Sequence, residues 1–135
     1  MLSGDTARAN VAGLHSKRIL IVEDEALIAL RLEAEFLDAG ANVVGPAFDL
    51  GSAIGLSAQS LDAAVLDINL RGDKVFPAAR LLRDRGVPLL FASANCDELD
   101  APGSDFFGYP RMEKPLVVVA LLQAVAELVR GVRSR

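Results

Sequence analysis

Leu61-Asp62-Ala63-Ala64-Val65-Leu66-Asp67-Ile68-Asn69-Leu70 decides the fold. The apolar run is too short for a helix and ends at a lone carboxylate. A short apolar run bounded by polar residues is the pattern of a central strand in a parallel sheet, where both faces are covered and the usual alternation disappears. In such sheets ligands bind beyond the carboxyl ends of the strands. Asp67 is therefore expected at the mouth of a site. An aspartate in this place can equally cap a helix or shape a turn, so its meaning depends on what closes the other strands.

Working outward, Arg18-Ile19-Leu20-Ile21-Val22 is a second buried strand by the same criteria, and it runs into Glu23-Asp24-Glu25. Residues 26–39 form an amphipathic helix, with Ile28, Leu32 and Phe36 on one stripe and Leu30, Ala34 and Leu37 beside it. Gly40 stops that helix as a left-handed cap. Acids near a helix N-terminus are favoured by its dipole. That explanation suits Glu25 and suits Glu23 poorly.

Asn42-Val43-Val44-Gly45-Pro46-Ala47 is a weaker strand, and Pro46 places it at an edge or a strand end. Residues 50–57 give a short helix interrupted by glycine. Arg71-Gly72-Asp73 is a turn, and residues 75–85 are a helix with Pro77 in the first turn and Gly86 at the end. Val87-Pro88-Leu89-Leu90-Phe91-Ala92 is the fourth strand, closed by Ser93. Residues 95–109 contain Pro102, Gly103 and Gly108 with little apolar periodicity, and are expected to be a loop with at most a turn or two of helix. Arg111-Met112-Glu113 is a fifth strand, followed by Lys114-Pro115 and an apolar closing helix over residues 116–132. Residues 1–16 read as a flexible tail carrying a solvated His15, and residues 17–135 as one domain without internal repeats.

Strands alternating with helices give a doubly wound α/β fold, because parallel neighbours need crossovers and the crossover helices cover the sheet. The strand ends then present Glu23 and Asp24, Asp67, Ser93 and Lys114. Composition agrees with one soluble domain. Of 135 residues, 52% are hydrophobic and 24% charged, enough for a core and against disorder. A net charge of -4 without a basic stripe argues against nucleic-acid binding. No run reaches the roughly 18 apolar residues of a membrane span. The single cysteine, Cys96, rules out an internal disulfide and fits a reducing compartment, so a cytoplasmic location is expected.

The fragments Ile-Val-Glu23-Asp24-Glu25, Leu-Asp67-Ile-Asn-Leu, Phe-Ala-Ser93-Ala and Glu-Lys114-Pro115, in that order on successive strand ends, resemble the receiver domain of bacterial two-component response regulators. The resemblance runs from about residue 17 to about residue 130. It implies a five-stranded flavodoxin-like sheet in the order 2-1-3-4-5. Most receivers have a helix between strands 4 and 5, and residues 95–109 depart from them in reading as a degenerate or missing helix. It also implies that Asp67 is the phosphate acceptor, that Glu23 and Asp24 place a divalent cation, and that Ser93 and Lys114 contact the phosphoryl group. The carbonyl of Asn69 joins Asp24 and Asp67 as a metal ligand in this reading, with Glu23 acting mostly through water. A Lys114-Pro115 cis peptide bond is implied as well. The Phe91-Ala92-Ser93-Ala94 segment is similar to the subfamily with a Phe-Ala-Thr-Gly-type fourth strand, from which Ala94-Asn95 departs. Arg111 stands where many receivers carry a switching aromatic residue.

The chemistry is coherent on its own terms. Three crowded carboxylates repel one another and suit a hard, oxygen-preferring cation such as Mg²⁺. A carboxylate becomes a workable nucleophile toward phosphorus once metal and lysine neutralise the transferred group. The expected function is a stand-alone phosphoryl-accepting switch or relay, served by a histidine kinase or histidine phosphotransfer protein and read by a downstream protein that the sequence does not name. No enzymatic activity is expected beyond phosphorylation and dephosphorylation of Asp67 itself. The alternative is a receiver-like interaction module that works without phosphorylation. A phosphatase with an aspartyl nucleophile fits less well, since such enzymes commonly place a second aspartate where Asn69 stands.

Overall fold

The computed structural model describes residues 13–131. The elements in chain order are β1 (Arg18–Val22), α1 (Ala26–Asp38), β2 (Asn42–Ala47), α2 (Leu50–Leu56), β3 (Ala63–Leu66), β4 (Asn69–Leu70), β5 (Asp73–Lys74), α3 (Phe76–Asp84), β6 (Leu89–Ser93), a 3₁₀ turn (Cys96–Asp100), β7 (Arg111–Glu113) and α4 (Val118–Val129). Five strands form one parallel sheet in the order β2-β1-β3-β6-β7. This is the expected doubly wound topology, with the Asp62–Asp67 run at its centre. No helix among the described residues is long and apolar enough to cross a membrane.

Successive side chains of a strand point to opposite faces, and the two cores follow that rule. Leu20, Val22, Ala64, Leu66, Leu89 and Phe91 face α2 and α3, whose Ala53, Ala78, Ala79 and Leu82 are buried against them. Ile19, Ile21, Ala63, Val65, Leu90 and Ala92 face α1 and α4, where Leu32, Phe36, Leu121 and Val125 cover them. Both faces of β3 are thereby closed, which is why its sequence lacks alternation.

Three details differ from the sequence expectation. Leu14, placed in the tail, is fully buried, and the Ser16 N–H donates to the Gly40 carbonyl at 2.8 Å. Residues 13–16 thus belong to the domain, while residues 1–12 and 132–135 lie outside the described residues. The stripe of α1 is narrower than its apolar content suggests. Ala29, Leu32 and Phe36 are buried, whereas Leu30 and Leu37 are half exposed, because the helix meets the sheet along one line only. The turn after Asp67 is a small hairpin in which Asn69 pairs with Lys74 and Leu70 with Asp73. Arg71 and Gly72 form its tip at φ 52 and 91. A two-residue hairpin loop with both φ positive is the favoured primed turn, and glycine at its second position is the residue that adopts it freely.

The segment between β6 and β7 has no α-helix, as expected, yet it is anchored. Leu99 and Phe106 are buried. The Phe106 ring lies 5.3 Å from Phe91, 5.7 Å from Phe76 and 5.0 Å from Tyr109, with the Arg83 guanidinium 5.5 Å from its centre. These aromatic contacts cover the end of β6 that a helix would otherwise cover. Arg111 donates to Asp100 at 2.8 Å and to the Cys96 carbonyl, tying the 3₁₀ turn to β7. Truncation to alanine should therefore separate two adjacent residues. Phe106→Ala is expected to lower unfolding free energy by about 3–5 kcal/mol, whereas Phe107→Ala, largely exposed, should change it by less than ~0.5 kcal/mol. Urea denaturation of both variants checks this, and equal losses would contradict it.

Candidate functional site

Strand register builds the site. Val22 pairs with Leu66, so Glu23 and Asp67 leave the sheet side by side. Their backbones stay tied to it, the Asp67 N–H donating to the Val22 carbonyl and the Glu23 N–H to the Ala47 carbonyl, each at 2.9 Å. Ser93 pairs with Glu113 at the other end of the β6–β7 register, and the Lys114 N–H donates to the Ser93 carbonyl at 3.1 Å. The residues expected at the strand ends therefore share one edge of the sheet, as its carboxyl-end geometry requires.

Lys114 draws them together. Its Nζ lies 2.8 Å from Glu23, 2.9 Å from Asp67 and 3.1 Å from Glu25. The Lys114-Pro115 peptide bond is cis, as expected. Oxygens of Glu23, Asp24 and Asp67 all lie within 4.8 Å of one another, and Glu23 and Asp67 are buried. Asp67 Oδ1 also accepts the Asn69 N–H at 3.4 Å, and Asp24 Oδ2 accepts the Arg71 N–H at 3.1 Å. The latter bond fixes the hairpin tip to the acidic pair and supports Arg71 in its left-handed conformation.

Two further expected participants make side-chain contacts outside the acidic cluster. The buried Ser93 hydroxyl accepts the Asn95 N–H at 3.4 Å. The Asn69 side chain is turned toward Lys74 and Glu98. Glu25 was expected to serve the α1 N-terminus, but its side chain makes no cap hydrogen bond and instead reaches Lys114. The acidic triplet carried that signal, since three acids exceed what one helix end needs. Glu98, in a segment with little apolar periodicity, offered no such signal.

Charge is out of balance. One ammonium meets three carboxylates, Asp24 lies beside them as a fourth, and two of the four are buried. Burial pushes the Glu23 carboxyl up to about 7, against the bonds donated by Lys114 and by the Glu25 N–H. Burial alone would lower Lys114, but its bonds to Glu23, Asp67 and Glu25 hold the ammonium above its ordinary range. A set of clustered carboxylate oxygens with surplus negative charge fits a small hard cation, and Glu23, Asp24 and Asp67 are the residues able to hold one.

A response regulator receiver protein from Sinorhizobium medicae WSM419 superposes with a TM-score of 0.75 at 26% identity, covering 89% of this chain and 99% of that one. The TorCAD operon transcriptional regulatory protein TorR of Escherichia coli K12 is 31% identical over 112 residues, 82% of this chain and 49% of TorR. The chain belongs to the response regulator receiver family. This receiver is also similar to SdrG from Sphingomonas melonis Fr1, at 36% identity and a TM-score of 0.69, covering 84% of this chain and 97% of SdrG. It spans about half the length of the curated relative it matches. No family model matches it.

The raised Glu23 carboxyl makes stability depend on pH. Between its ordinary value of 4.5 and its folded value of about 7, the folded receiver holds more protons at Glu23 than the unfolded chain does. Stability from this group is thus fully present below about pH 4.5 and is lost as pH rises through about 7. Without divalent cations, thermal unfolding across this range should show a downward slope that Glu23→Gln flattens. An unchanged slope in the variant would contradict the assignment.

Proposed function

We propose that this receiver accepts a phosphoryl group on Asp67 and acts as a switch or relay in two-component signalling. The observation that carries this reading is the placement of the Lys114 ammonium 2.9 Å from Asp67 Oδ2, within an acidic cluster at the carboxyl end of the central strand. An Asp67 oxygen attacks the phosphorus of a phosphohistidine, forming a new P–O bond as the P–N bond breaks, and the imidazole leaves with a proton. Lys114 balances charge on the transferred group, and the Ser93 hydroxyl turns from Asn95 to donate to one phosphoryl oxygen. Glu23, Asp24 and Asp67, with the Asn69 carbonyl, would hold Mg²⁺, which would supply positive charge to the phosphoryl oxygens when bound. The donor is a histidine kinase or a histidine phosphotransfer protein, and a downstream protein reads the result. The receiver catalyses nothing beyond its own phosphorylation and dephosphorylation.

Incubation with Mg²⁺ and a small phosphodonor, followed by intact mass, tests the reading. The parent should gain the mass of one phosphoryl group and Asp67→Asn none. A parent that gains no mass would favour an interaction module working without phosphorylation. Asp24→Asn removes one of the carboxylates assigned to the cation, so calorimetry should show weakened Mg²⁺ affinity. Unchanged affinity would place the metal elsewhere.

A further inference from the structure

Beside Asp67 stands a triangle of polar side chains that the phosphoryl chemistry does not use. Lys74 Nζ lies 2.8 Å from Glu98 and donates to Asn69 Oδ1, while Asn69 Nδ2 donates to Glu98 Oε2 at 3.3 Å. Cation meets carbonyl oxygen and amide N–H meets carboxylate, so all three contacts are satisfied by one amide orientation. Lys74 and Asn69 are cross-strand partners in the β4–β5 hairpin, and Glu98 comes from the 3₁₀ turn. The bond from Lys74, aided by Asn69, holds the Glu98 carboxyl below its ordinary range.

The triangle joins two otherwise separate elements. The hairpin begins two residues after Asp67, with the Asn69 N–H on Asp67 Oδ1 and its tip held by Asp24. The 3₁₀ turn begins three residues after Ser93 and is held by Arg111 on its other side. The triangle thus bridges hairpin and turn close in the chain to Asp67, which is only 6% exposed.

We propose that Glu98 and Lys74 are positioning residues that hold Asn69 and the 3₁₀ turn as a wall beside Asp67, and so limit the access of water to a phosphoryl group carried there. This rests on the phosphoryl-accepting reading above. In the step that the wall slows, a water oxygen bonds to phosphorus and the P–O bond to Asp67 breaks. Inorganic phosphate leaves with the water's protons shared between it and solvent, and the Asp67 carboxylate is restored. Without the triangle, the Asn69 amide loses both partners and the turn loses its hold on the hairpin. Water then reaches the phosphoryl group more often.

The test loads the protein with a small phosphodonor and Mg²⁺, removes the donor, and follows decay by intact mass. Glu98→Gln and Lys74→Met should each decay roughly two- to fivefold faster than the parent, the scale of one partly exposed ion pair. The exchanged pair Lys74→Glu with Glu98→Lys should decay at the parental rate, because a flipped Asn69 amide satisfies both reversed partners. Single variants decaying like the parent, or an exchanged pair decaying as fast as the singles, would overturn the proposal. Amide hydrogen exchange across residues 96–100 provides a second readout without phosphorylation. It should be faster in the singles and parental in the exchanged pair. A parent that takes no phosphoryl group would defeat the proposed function, and unchanged exchange in the singles would defeat the wall.

Discussion

The Lys114 ammonium, shared between Glu23, Asp67 and Glu25, is the interaction on which the site depends. Two of these carboxylates are buried, and a buried charge without a partner is costly enough to change its protonation instead. The sheet order brings β1, β3, β6 and β7 side by side so that their ends share one edge, and Lys114 supplies cationic compensation there. That compensation is incomplete. Glu23 remains raised to about 7, and Asp24 adds further negative charge within 4.8 Å. The cluster is thus suited to additional positive charge.

Around this centre the fold replaces a helix with side-chain contacts. Where an α-helix between β6 and β7 would cover the sheet, Leu99 and Phe106 fill the space, and Arg111, Asn69, Lys74 and Glu98 hold the 3₁₀ turn by polar contacts. Helical backbone bonds are insensitive to the site. The bonds that replace them end on residues next to Asp67 and Lys114, so the covering segment and the acidic cluster share partners. Arg111, at a position read in sequence as a departure from the family, has a definite task in holding Asp100.

The sequence made the central strands legible because they are short and buried on both faces, and Asp67, Glu23 and Lys114 were legible because each follows the end of a strand. The loss of the helix over residues 95–109 was equally readable from Pro102, Gly103 and Gly108. What escaped depends on distance in the chain. Leu14 joins the core through residues near Gly40, and no local pattern marks it. Glu25 looked like a helix-end acid because its true partner lies 89 residues away. Glu98 and Lys74 resemble ordinary surface charges until the Arg71-Gly72 turn folds Lys74 back beside Asn69.

The central claim, that one ammonium compensates the buried carboxylates, is tested most directly by the stability of Lys114→Met relative to the parent as a function of pH, without divalent cations. At neutral pH the variant leaves buried carboxylates unpaired and should be destabilised by about 3–5 kcal/mol. The difference should shrink as pH falls through about 7, where Glu23 takes up a proton and no longer needs a cationic partner. A difference that stays constant from pH 4 to 8 would mean that Lys114 contributes packing alone, and would contradict the account.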